Sequence, residues 1–120
     1  AGLSALLAGR VAGAYQTRHF DPGAPRAPVA EFAEAYRSAY AREPTDAAAL
    51  GYDAALAALA SFEPGRDGAA LLERLRALRE LPGATGALSI GPSGSALGKP
   101  VVLARVDRAE GPAVLRRPAR

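Results

Sequence analysis

The stretch Thr45–Phe62, TDAAALGYDAALAALASF, consists almost wholly of alanine and leucine between its ends, interrupted by a Gly-Tyr-Asp triplet at 51–53. Alanine and leucine are strong helix formers, so the stretch predicts a helix. Because so few positions are polar, we expect this helix to be buried on most sides, with Leu56 and Leu59 in the core. A tyrosine and an acid in its middle then require partners or a role.

Two further helices flank this one. Apolar residues recur at helical spacing before it, at Val29, Phe32, Ala33, Tyr36 and Tyr40. Pro44 ends that helix, and Thr45 or Asp46 is a suitable N-cap for the central one. After Pro64-Gly65, the pattern predicts a third helix over Gly68–Leu81, capped by Asp67 and stopped by Pro82-Gly83.

The residues outside the helices change to a period of two, which predicts strands. We expect a strand over Val11–Phe20, a short one over Ala87–Ile90 followed by a turn at Gly91–Gly94, and a longer one over Val101–Val106. Ala113–Leu115 is expected to pair with the last of these across Glu110-Gly111-Pro112. The fold class is therefore α/β: a strand, three helices, then two or three strands.

Composition excludes several classes of function. The chain has 120 residues, 49% of them hydrophobic, with no cysteine and a net charge of +3. The absence of cysteine excludes disulfides and thiol metal sites. Basic residues are interspersed with acids rather than clustered beside aromatics, so we expect no nucleic-acid partner. No apolar run approaches the roughly 20 residues that cross a bilayer.

The residues also argue against catalysis. His19 is the only histidine, it has no indicated partner, and no serine lies in a Gly-x-Ser-x-Gly elbow. The segment Gly91–Pro100 ends in Gly-Lys like a phosphate loop, but Ser93 and Pro100 stand where glycine and Ser or Thr are required. We therefore expect a turn and linker there, and predict no enzyme, no metal and no cofactor.

The order of the motifs resembles the C-terminal third of type I periplasmic solute-binding proteins, and most closely the branched-chain amino acid (Leu/Ile/Val) receptors of ABC transporters. The matching residues are Phe32–Tyr36, Glu43-Pro44, Tyr52-Asp53-Ala54, Gly83-x-Thr85-Gly86 and Pro92-x-Gly94. Ile90-Gly91 departs from the Phe-Asp common in that family. The resemblance implies a segment of a longer protein, with part of a bilobal α/β fold.

By this resemblance, residues 1 to about 20 and about 88–120 belong to the second lobe, and about 21–87 to the first. The N-terminal end of the central helix would face the cleft between the lobes, where a helix end receives an anionic group. The implied ligand-binding residues are Asp46, Ala47, Ala48 and Tyr52, with Ala47 leaving room for a bulky ligand. For Tyr52 and Asp53, structural packing or capping is favoured over direct ligand contact.

The implied function is the extracytoplasmic solute-binding component of an ABC-type transporter, which binds a small molecule such as an amino acid between two lobes without chemistry. The alternative is a ligand-sensing or cell-wall-synthase-activating envelope lipoprotein domain with the same fold. Its expected partners are the solute and, in the full-length protein, an ABC permease. The expected location is periplasmic or extracytoplasmic, with lipid anchoring left open. The 120-residue chain is expected to self-associate and to bind no solute tightly as a monomer.

Overall fold

The computed structural model describes residues 13–107 and 111–116. The element order is β1 (Tyr15–Arg18), α1 (Ala27–Tyr40), α2 (Asp46–Ser61), α3 (Gly68–Ala77), β2 (Leu81–Gly83), β3 (Gly86–Ile90), β4 (Ala96–Leu97), β5 (Val102–Asp107) and β6 (Gly111–Arg116). The predicted α/β class and the order of strand, three helices and strands are confirmed. Val11, Ala12 and Glu110, which were included in the predicted strand and turn, lie outside the described residues.

The strands form two antiparallel sheets. Sheet 1 has the order β1-β5-β6, and sheet 2 has the order β2-β3-β4. In sheet 1, Tyr15 pairs with Arg105 and Arg18 with Val102, and Ala104 pairs with Val114 of the last strand. The pairing of β6 with β5 confirms the predicted final hairpin.

The helices pack with sheet 2. Helix α2 contacts both α3 and β2, α3 contacts β3, and α1 contacts β2. The hydrophobic core between the helices and sheet 2 includes two aromatic residues. Phe20 and Phe32 are buried and meet edge to face, with ring centroids 5.6 Å apart, and Val29, Ala49 and Ala84 complete the core cluster. No helix among the described residues is long and apolar enough to span a membrane.

The caps of α2 and α3 follow the prediction. The Thr45 hydroxyl accepts a hydrogen bond from the Ala48 amide at 3.2 Å, and the Asp67 carboxylate accepts one from the Ala70 amide at 3.0 Å. Each cap satisfies an amide that the first helical turn leaves without a partner. Helix α1 instead begins with proline in its first turn and has no side-chain cap.

The predicted end of the third helix is wrong. The helix ends at Ala77, and Leu78 is extended, with φ −62° and ψ 128°. The Leu78 carbonyl accepts a hydrogen bond from the Ile90 amide at 3.0 Å, so the chain leaves the helix to join sheet 2. Pro82 and Gly83 consequently lie in β2 instead of stopping a helix.

The segment after β3 is more ordered than a linker. The Gly94 amide donates to the Gly91 carbonyl at 2.9 Å, which confirms the turn, and the Gly91 amide donates to the Ser95 carbonyl at 2.8 Å. The strand β4 that follows has only two residues, paired with Ser89 and Ile90. A strand of two residues is too short to show alternation, so the pattern did not predict it.

Helix α2 is less buried than its composition predicted. Its buried positions are Ala49, Asp53, Ala57 and Ser61, spaced by four residues along one face. Leu56 is half-buried, and Leu59 is 72% exposed, so the prediction that Leu59 lies in the core is wrong. The physical reason is that the buried face of this helix consists mainly of small residues, and Leu59 lies on another face.

These positions give a direct stability comparison. Phe32→Ala should lower the free energy of unfolding by about 3–5 kcal/mol because it opens a cavity in the core cluster. Leu59→Ala should change it by no more than about 0.5 kcal/mol because the side chain is already in solvent. Urea denaturation of both variants measures the difference, and equal losses would contradict the described packing.

Candidate functional site

The candidate site begins at the N-terminal end of α2. Thr45 caps this end with its side chain, and its carbonyl accepts the Ala49 amide at 3.0 Å. The amides at the start of an α-helix have no partner within the helix, and they lie at the positive end of the helix dipole. This end of α2 therefore suits an anionic group such as a carboxylate.

The Asp46 side chain is already engaged with the end of β1. Its Oδ1 accepts hydrogen bonds from Arg18 Nη2 at 2.6 Å and from Nε at 3.0 Å, and its Oδ2 accepts the His19 amide at 3.0 Å. The Arg18 and Asp46 side chains are 21% and 29% exposed. Two guanidinium bonds to one carboxylate fix its orientation more firmly than a single lysine contact would.

The four residues predicted to contact ligand divide into two groups. Asp46, Ala47 and Ala48 share the first turn of α2, with Ala47 exposed and Ala48 half-buried. Tyr52 lies further along the helix, and its ring packs on Phe32 with centroids 4.8 Å apart while remaining 42% exposed. The structure thus brings three of the four together and places Tyr52 against Phe32 of the core cluster.

Asp53 is a buried carboxylate that joins α2 to sheet 2. It is 2% exposed, and its oxygens accept the Ala84 amide at 2.7 Å and the Thr85 amide at 3.0 Å. The Thr85 hydroxyl also donates to Asp53 Oδ2, and Lys99 Nζ lies 3.1 Å from the same oxygen. The expectation that Asp53 caps a neighbouring segment is confirmed.

The β2–β3 connection is shaped to receive this carboxylate. A Cβ at Gly83 would lie 2.6 Å from Asp53 Oδ1, closer than real Cβ contacts allow. Gly86 has φ 129°, a left-handed value that disfavours other residues, and a Cβ there would meet the Pro100 ring at 2.8 Å. The Gly83-x-Thr85-Gly86 motif therefore exists because backbone, carboxylate and proline come together at one point.

An open cleft of about 490 Å³ lies between the start of α1 and the strands. Its lining includes His19, Asp21, Arg26, Glu80, Thr85 and Pro100. Arg26 is anchored there, since its guanidinium donates to the carbonyls of Gly83 at 3.2 Å and Ala84 at 3.1 Å. Residues 46–48 at the N-terminal end of α2 do not line this cleft.

The cluster around Asp53 includes residues that sequence reasoning missed. Lys99 and Thr85 were not predicted as partners of Asp53, although the Gly-x-Thr-Gly motif was noted. One signal was available: Lys99 is the sole lysine in a chain in which every other basic residue except His19 is arginine. Among the described residues no group of three His, Cys, Asp or Glu side chains could hold a metal ion.

Comparison with known proteins gives a consistent result. The family model described as periplasmic binding protein matches residues 1–112. A leucine binding protein from Thermotoga maritima is 31% identical with a TM-score of 0.80, and the match covers 94% of this chain and 33% of that one. An ABC transporter substrate-binding protein from Desulfitobacterium hafniense, solved in complex with Leu, is 29% identical with a TM-score of 0.80, covering 88% and 32%. A search of curated proteins found no match.

The fold and the matched family define a type I periplasmic-binding-protein structure. The chain belongs to the periplasmic binding protein family, which confirms the resemblance. It spans about a third of the length of the similar solved structures. A benzoate-bound solute binding protein from R. palustris, 18% identical with a TM-score of 0.79 over 97% of this chain and 32% of that one, shares the fold.

The Asp53 cluster generates a prediction about stability. Asp53→Asn should lower the free energy of unfolding by about 3–5 kcal/mol, because an amide group would face three donors and Lys99 would lose its counter-charge. The matched control is Asp67→Asn, which should be nearly neutral because asparagine caps helices as well as aspartate. Urea unfolding followed by circular dichroism checks both. Similar stability of the two variants would show that the buried carboxylate is dispensable.

Proposed function

We propose that this chain forms part of the solute-binding component of an ABC-type transporter, in which an amino acid is held between two lobes and no bond is made or broken. Membership of the periplasmic binding protein family supports this role, as do the similar proteins from Thermotoga maritima and Desulfitobacterium hafniense. The observation that carries the proposal is the position of the α2 N-terminus, which meets the end of β1 where the chain passes from sheet 1 to the helices.

The solute's carboxylate would bind at this helix end. The first-turn amides of α2, including that of Ala47, offer hydrogen bonds, and the helix dipole favours a negative charge there. Asp46 would position the site through Arg18 instead of binding the solute, because its carboxylate oxygens already accept three hydrogen bonds. Ala47 would leave space for the solute's side chain.

Ala48 and Tyr52 would contribute more indirectly. Ala48 packs against the core cluster and holds the first turn in place, and the exposed part of the Tyr52 ring would border the site. Both assignments are part of the proposal. They agree with a site whose walls are mostly apolar and whose few polar groups orient the ligand.

The division into lobes follows the two connections between the sheets. The first connection lies near Phe20-Asp21, close to the predicted boundary at residue 20. We infer that the second lies at 98–101, later than the boundary predicted near residue 88, because β3 and β4 pair within sheet 2 and α3 contacts β3. Sheet 1 would then belong to the second lobe, and the helices with sheet 2 to the first.

The proposed role extends to partners and location. The whole protein would act outside the cytoplasmic membrane and deliver its solute to an ABC permease, held there by a lipid anchor or free.

No catalytic role is proposed: His19 is exposed, and none of its side-chain atoms is hydrogen-bonded to another of the described residues. A general base needs such a positioned partner.

A chimeric protein tests the proposed function. Residues 1–112 would replace the matching third of the Thermotoga maritima leucine binding protein, and calorimetry would measure leucine binding. We expect the folded chimera to bind leucine. Ala47→Trp should weaken binding at least about tenfold by filling the space at the helix end, whereas the exposed control Ser38→Trp should not. A folded chimera without leucine affinity would refute the role.

The chain by itself should behave differently. Large apolar side chains are exposed, among them Tyr40 at 61%, Leu59 at 72% and Phe62 at 60%. Exposed large apolar side chains promote association, so light scattering should show a dimer or larger assembly. Calorimetry should show no tight binding of amino acids, since only part of the cleft wall is present. A monomer with micromolar leucine affinity, equivalent to about 8 kcal/mol of binding free energy, would contradict both expectations.

A further inference from the structure

Within residues 13–107, two connections join sheet 1 to the helices and sheet 2, and a residue of each pairs with helix α2. The first follows β1, and Arg18 at the end of that strand pairs with Asp46 in the first turn of α2. The second runs from β4 to β5 and contains Lys99, which pairs with Asp53. Asp46 and Asp53 are seven residues apart, which corresponds to about 10 Å along the helix axis. The acidic partners of both ion pairs therefore lie on one rigid helix.

The Lys99 contact is more enclosed than the other ion pairs in the part of the chain that the structure describes. Its side chain is 18% exposed, Asp53 is 2% exposed, and the ammonium also donates to the Thr85 hydroxyl. The Arg74–Glu63 pair has the same 3.1 Å separation, but its side chains are 50% and 45% exposed. An enclosed pair is screened less by water and salt, so the Lys99 contact restrains its segment more strongly.

We propose that Lys99 is a positioning residue that fixes the second connection to α2 and thereby sets the orientation of sheet 1 relative to the helical layer. With Arg18 holding the first connection, a rotation of sheet 1 about any axis other than the line through the two ion pairs would separate at least one of the two cations from its acid. The two ion pairs act together as a two-point restraint across the connections between the lobes.

Lys99 restrains the second connection but is not needed for the core, because Asp53 has other hydrogen-bond donors. Three donors from Ala84 and Thr85 remain on the carboxylate when the ammonium is removed. Asp53 would stay hydrogen-bonded, so the helix and sheet 2 would keep their packing. Loss of Lys99 should therefore release the connection without unfolding the layer beneath it.

A lysine suits position 99 better than an arginine would. The chain has fourteen arginines and this one lysine. An ammonium is a compact point charge that fits between a carboxylate oxygen and a hydroxyl, whereas a guanidinium is a wider planar group. Arginine should not restore the contact.

The consequence for solute capture rests on the proposed function. If an amino acid binds between the lobes, its apparent affinity depends on how often the binding-competent orientation is populated. A freer second connection would spread the population over more orientations and weaken binding. The two ion pairs restrain sheet 1 without a solute, so the restraint is tested separately from transport.

The test measures the distance between the two parts in the chain itself. The chain has no cysteine, so spin labels at Thr17→Cys in β1 and Ser38→Cys in α1 report one distance by pulsed electron spin resonance at protein concentrations kept low enough to exclude intermolecular pairs. Lys99→Met and Lys99→Arg are compared with the control Arg74→Met, which removes an exposed ion pair of equal length. We expect about a twofold broader distance distribution for both Lys99 variants, as for a released hinge, and none for the control.

Any other result contradicts the proposed role of Lys99. A Lys99→Met distribution as narrow as that of Arg74→Met would show that the contact restrains nothing. Loss of helical circular dichroism in Lys99→Met would show that Lys99 supports the core. A narrow distribution in Lys99→Arg would show that charge alone suffices and would overturn the role assigned to the ammonium's shape. Failure of leucine binding by the chimera would leave these distances unaffected, so the two proposals fail independently.

Discussion

The buried carboxylate of Asp53 is the constraint on which the rest of the structure depends. A carboxylate at 2% exposure is tolerated when hydrogen bonds from other groups replace its hydration. The replacements come from Ala84, Thr85 and Lys99, distant in sequence. Satisfying this one group therefore brings together α2, the β2–β3 connection and the segment leading to β5.

This constraint also determines where the candidate site lies. Because Asp53 holds the middle of α2 against sheet 2, the first turn of the helix projects toward the end of β1. There the Arg18 guanidinium donates a hydrogen bond to Asp46. The helix end is thus positioned by contacts at two points, and the amides that could receive a solute are carried on a rigid element. Sites held on helices keep their geometry better than sites on loops.

The sequence predicted the elements better than their burial. Thr45 and Asp67 marked the starts of two helices correctly because capping side chains act through local backbone chemistry, whereas α1 ends at Tyr40, four residues before Pro44. The end of α3 was mispredicted because its leucine pattern continues past Ala77, whereas the hydrogen bond from Ile90 to the Leu78 carbonyl depends on a distant strand. Leu59 was assigned to the core from composition, but the face of α2 that turns inward is selected by Asp53 and its partners.

The candidate site was predictable in part for the same reason. The first turn of α2 follows from its caps and from the family resemblance, whereas the partners of Asp46 and Asp53 are separated from them by at least 27 residues. Amide hydrogen exchange at Ala84 and Thr85 tests the account most directly. Both amides are expected to exchange only through global unfolding, unlike the exposed turn amide of Gly94. Exchange of Ala84 and Thr85 as fast as that of Gly94 would contradict the central role of the Asp53 carboxylate.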